Sequence, residues 1–181
     1  MFSTSRLLVE HLISGLLAVF SFGLLTFSFI DLESVGSLFS IQSNPVLTIL
    51  GVALIYPLGI LVDLAADRML ENKKTKLKNA NLKGQKVLTL LLKLNNPMLN
   101  EFSSYITFKL RILRSSILNF ALLAIFGFVF VISNEIELLG SALTTGIIVF
   151  LIISSLAFAF YKSWVSVTKT FYKTLNKTTL M

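Results

Sequence analysis

Asp63 and Asp67 stand four residues apart, and Arg111 and Arg114 stand three apart. Side chains at those spacings share one face of a helix. Two carboxylates on one helix and two guanidiniums on another suit a charge clamp between neighbours. The same carboxylates, repeated around an axis by several subunits, suit a ring that draws cations to a pore mouth. A third reading needs no partner, because charges at the end of a membrane helix snorkel into water at small cost. Pro57 and Gly59 lie just ahead of the aspartates. Pro57 removes one backbone bond and crowds the carbonyl of Ala53, so a kink is predicted there, and Gly59 adds local freedom. The two form a candidate hinge, although both residue types are also common in membrane helices for packing alone.

A second set is purely cationic: Lys73, Lys74, Lys76, Lys78, Lys83 and Lys86. Their density suffices to neutralise several phosphates of a nucleotide or oligonucleotide, more so where subunits pool them. The plainer reading is membrane topology plus attraction to anionic lipid, at about 1 kcal/mol per surface cation. No phosphate loop accompanies the lysines, and lysine in place of arginine argues against a shaped, bidentate site.

Other chemistries are poorly supplied. The 181 residues include no cysteine and one histidine, His11. Histidine triads and multi-histidine metal sites are therefore nearly excluded within one chain. Acids cluster only as Asp63, Asp67, Glu71 and Glu101. The expectation is a protein that is not an enzyme, with no metal and no cofactor.

The elements that carry these residues are membrane spans. Hydrophobic residues make up 55% of the chain and charged ones 14%, against about 45–50% and about 25% in soluble domains. Leu12–Ile30 is an uncharged run long enough to cross a bilayer and longer than a signal peptide's apolar region, so it is read as a retained span. Pro45–Val62, Ser116–Ser133 and Leu138–Tyr161 are three more such runs. The predicted fold is all-α: four transmembrane helices as two hairpins, with a cytoplasmic helical segment between them. The units are 1–67, a first hairpin; 68–114, a basic cytoplasmic segment; 115–164, a second hairpin; and 165–181, a basic tail.

Orientation follows from the cations. The hairpin tips carry Asp31, Glu33, Glu135 and Glu137 and no lysine or arginine, whereas Arg68 to Arg114 holds 11 of the 16 basic residues. Excess Lys and Arg stays inside, so both termini and the middle segment are predicted cytoplasmic in an inner (cytoplasmic) membrane. Tyr161 and Trp164 beside Lys162 suit an interfacial belt. Asn79–Asn81 and Gly84 mark the expected break in the middle segment. Pro97 suits the start of a helix that continues into the third span. Counting about 20 residues inward from the outer ends of spans two and three places Asp63 and Asp67 level with Arg111 and Arg114.

Four spans leave little room for an aqueous path within one chain, so conduction implies a cyclic homo-oligomer. Gly15, Val19 and Gly23, and Ala142 with Gly146, are small-residue spacings suited to close helix packing. Phe20, Phe22, Phe27 and Phe29 suit lipid contact, core packing or a hydrophobic constriction. No buried Asp, Glu, Lys or Arg is expected at mid-membrane depth, which argues against a proton-coupled transporter.

The layout, with the segments "YPLGILVDLAADRM" (56–69) and "FKLRILRSSILN" (108–119), resembles the membrane effectors of bacterial anti-phage defence, in particular those of Hailong-type systems. That resemblance implies a toxin-like oligomeric ion channel held closed by an oligonucleotide, itself made by a partner nucleotidyltransferase. It also implies a polyanionic ligand for the lysine-rich segment. The alternative from a different class is a non-conducting membrane adaptor that recruits a cytoplasmic partner or anionic lipid through the same segment.

Overall fold

The computed structural model describes residues 2–30, 45–82, 87 and 97–178. Four helices occupy nearly all of these: α1 (Phe2–Phe27), α2 (Pro45–Leu82), α3 (Pro97–Ser133) and α4 (Ala142–Thr178). Helices α2, α3 and α4 have 38, 37 and 37 residues. At ~1.5 Å per residue each is about 56 Å long, nearly twice a hydrocarbon core of ~30 Å.

The protein is all-helical among the described residues, with three stretches long and apolar enough to cross a membrane: Leu8–Phe27, Glu101–Ser133 and Ala142–Lys177. The described side chains of α2 do not form a fourth, because its apolar part soon meets Asp63, Asp67 and Arg68.

Helix α3 is the centre of the bundle. It packs along α4 and α1 and touches α2, while α1 also lies along α2. Glycine sets the α1–α2 crossing. A Cβ on Gly15 would collide with the Ile55 carbonyl oxygen, and one on Gly59 with the His11 carbonyl oxygen. The two backbones therefore touch, as small residues permit in membrane helices. Gly59, read in the sequence as part of a hinge, sits in this contact. Helix α2 runs through Pro57 without interruption. Gly146 makes a gentler approach between α3 and α4, seating the Phe128 ring. Phe120 stacks on Phe160 at 5.2 Å, and Phe22 of α1 meets Phe126 at 5.5 Å.

The α3–α4 turn is closed by its backbone. Ile136 N–H donates to Val131 O and Glu135 N–H to Ile132 O, the pattern of a Schellman motif. Its left-handed residue is Glu135, with φ of 50°. Ser141 caps α4, its Oγ accepting from Thr144 N–H at 3.1 Å. The buried Thr145 hydroxyl accepts from Leu138 and Leu139 N–H and donates to Ser141 O.

Helix α2 continues through Asn79–Asn81 and ends at Leu82, within the stretch Asn79–Gly84 where the sequence places the break. Two contacts account for this. Asn81 donates its side-chain amide to the Leu77 carbonyl at 2.7 Å. Leu82 is buried in a cluster with Phe171, Tyr172 and Leu175 of α4, flanked by Phe102 and Ile106 of α3. Tertiary packing outweighs the weak helix propensity of asparagine here. Gly84, Lys83 and Lys86 lie outside the described residues. The residue boundaries 67/68 and 114/115 fall within continuous helices.

Candidate functional site

Where the charged part of α2 begins, Arg114 of α3 bridges both aspartates. Its Nη2 and Nε donate to Asp63 Oδ1 at 2.6 and 3.1 Å. Its Nη1 donates to Asp67. Lys74, two turns beyond Asp67, donates to the same carboxylate at 3.2 Å. The sequence spacing placed the four charges at one level, and the bundle brings three of them together. Arg111 makes no such pair among the described residues; it lines a cavity beside them.

That cavity, about 430 Å³, lies between α2, α3 and α4 and opens to the surface. Asp63, Asp67, Lys74, Arg111 and Arg114 supply its charges, and Thr107 and Thr168 its hydroxyls. Trp164, Phe171 and Tyr172 form an aromatic wall. Trp164 is only 2% exposed, so it serves this wall and not the interfacial belt read from the sequence. Tyr161 stacks beside it at 6.4 Å, and Lys162 reaches over the Phe158 ring.

Lys73 and Lys76 are exposed and Lys78 is half-buried, all on the extension of α2 beyond the cavity. Lys162, Lys169, Lys173 and Lys177 recur on α4 at seven- and four-residue steps and are exposed, which makes one basic stripe. Among the described lysines of that set, only Lys74 lines the cavity.

Sequence reasoning missed the polar interior at the α1–α2–α3 junction. Glu10 is 2% exposed, with Ser14, Ser115 and Asn119 also buried. Asn119 donates to Ser14 O at 3.0 Å and to Ser14 Oγ at 3.3 Å. His11 is buried one residue on and meets the Tyr56 ring edge-on at 5.6 Å. A signal existed: Glu10, Ser14, Ala18 and Ser21 repeat at four, four and three residues, one helix face of small and polar types. Starting the first span at Leu12 excluded Glu10 from it.

No protein-family model, curated protein or solved structure matches the chain.

Proposed function

We propose that the protein is a four-span inner-membrane channel, or pore-forming effector, that works as a homo-oligomer with both termini in the cytoplasm. Its basic cytoplasmic region receives the regulatory signal from a polyanionic ligand such as a nucleotide or oligonucleotide, the product of a partner enzyme. The observation that carries the reading is the Arg114 bridge to Asp63 and Asp67. It ties α2 to α3 beside an open charged cavity, at the level where an ion path would meet the cytoplasm. Opening that bridge would uncover two carboxylates per subunit, and a ring of them would favour cations.

Two further features support the reading. The apolar stretch of α4 is only 11% buried within the subunit, which leaves a broad face for lipid or neighbouring copies. The α4 lysine stripe and the exposed lysines of α2 provide cationic surface outside the apolar spans. Pro45–Val62 carries no charged residue, which supports α2 as the fourth span.

Planar-bilayer recording of the purified protein tests this. The expected result is discrete conductance, altered by Asp63→Lys and by Arg114→Glu and restored toward wild type in the double variant. Silence across voltage, pH and added nucleotides would refute the channel and favour the adaptor.

A further inference from the structure

Two acceptor groups from different helices are buried at the α1–α3 contact without a donor. Both carboxylate oxygens of Glu10 lack a hydrogen-bond partner among the described residues, and so does Oδ1 of Asn119. Each residue is 2% exposed. They lie close in the bundle, because Asn119 is hydrogen-bonded to Ser14 and Glu10 stands one turn before Ser14 on the same face. A bare carboxylate in such surroundings is strongly disfavoured unless something neutralises it.

The charges nearby leave that task open. Asp67 has Lys74 as well as Arg114, and Asp63 has Arg114, but no cation pairs with Glu10 among the described residues. Arg114 is engaged by the two aspartates, and Arg111 does not reach the Glu10 oxygens. Gly59 abuts His11, and Asp63 lies about 6 Å further along α2 by helix rise, so Glu10 sits roughly one turn deeper than the bridge.

We propose that Glu10 and Asn119 form a binding site for one hard monovalent cation, about one turn deeper in the bundle than the Asp63–Arg114 bridge. The ligand class follows from the donors. They are a carboxylate and an amide carbonyl, oxygen ligands that suit alkali cations over soft metals. A single positive charge matches the one carboxylate that has no cation of its own. The site is a property of the subunit interior and does not depend on whether the assembly conducts.

Thermal unfolding of the full chain in detergent or nanodiscs, at fixed pH and ionic strength, tests the site with sodium, potassium and choline chloride as probes. Sodium or potassium should raise the melting temperature over choline by about 3–6 °C at a concentration about tenfold above its Kd. Glu10→Gln, nearly isosteric, should abolish the difference, and Asn119→Ala should reduce it. Equal melting of the wild-type protein in all three salts overturns the proposal, whether or not the variants fold. A difference that survives Glu10→Gln overturns the location. Melting that depends on pH through Glu10 but not on the cation also overturns it, leaving a proton as the neutralising partner. A channel that proves silent in bilayers leaves this result untouched.

Discussion

Neutralising Asp63 and Asp67 separately should have very unequal consequences, although both bind the same arginine. The side chains of Arg114 and Asp63 are 12% and 13% exposed, and that of Asp67 is 41% exposed. Breaking a buried ion pair costs about 3–5 kcal/mol because a charge is left uncompensated. Asp63→Asn leaves Arg114 with Asp67, so the expected cost falls below that range, at about 2–3 kcal/mol. Asp67→Asn removes a half-exposed partner that water replaces, and about 1 kcal/mol or less is expected. Arg114→Gln leaves two carboxylates facing each other and should cost most. At about 2–4 °C per kcal/mol for a chain of this size, Asp63→Asn should lower the melting temperature by about 4–12 °C and Asp67→Asn by no more than about 4 °C. A double-mutant cycle of Asp63→Asn with Arg114→Gln, read by thermal unfolding in detergent, should show a coupling well above ~0.5 kcal/mol. Additive losses, or an Asp67→Asn penalty as large as that of Asp63→Asn, would refute the reasoning.

Gly59→Ala places a methyl group against the His11 carbonyl, so α1 and α2 must separate. A loss of about 1–3 kcal/mol is expected, with Gly51→Ala, where a Cβ meets open space, as the control that loses no stability in the same melts. Glu135→Gly relieves a left-handed residue and should stabilise the α3–α4 turn by about 1 kcal/mol, visible as a higher melting temperature. Ser141→Ala removes the α4 cap and should cost about 1 kcal/mol in the same assay.

The helical class and the level of the charges were legible because apolar length and cation placement are properties of the chain alone. Counting residues from the outer ends of two spans brought Asp63 and Asp67 level with Arg114. Which arginine pairs was not legible, since Arg111 and Arg114 differ by most of a turn and only the α2–α3 contact selects between them. Asn79–Asn81 reads as a break by propensity, and the burial of Leu82 against α4 carries the helix past it. Trp164 reads as an interfacial anchor by type, but its surroundings are set by α2 and α3, which are distant in sequence. Glu10 was concealed by rule: a charge ends an apolar run on paper, whereas in the bundle it turns inward beside Ser14.

The glycine contact between α1 and α2 has a mechanical consequence. Gly59 divides α2 into two arms, about 21 Å back to Pro45 and about 35 Å forward to Leu82 by helix rise. With the backbones touching at Gly15, the crossing is a fulcrum. Turned as a stiff rod, α2 would deliver a sideways push on its lysine-bearing arm to the opposite end, reversed in direction and scaled to roughly 0.6 of its size. Asp63 lies one turn from the fulcrum and would barely travel. The Arg114 bridge is thus placed where such a rocking motion strains it least.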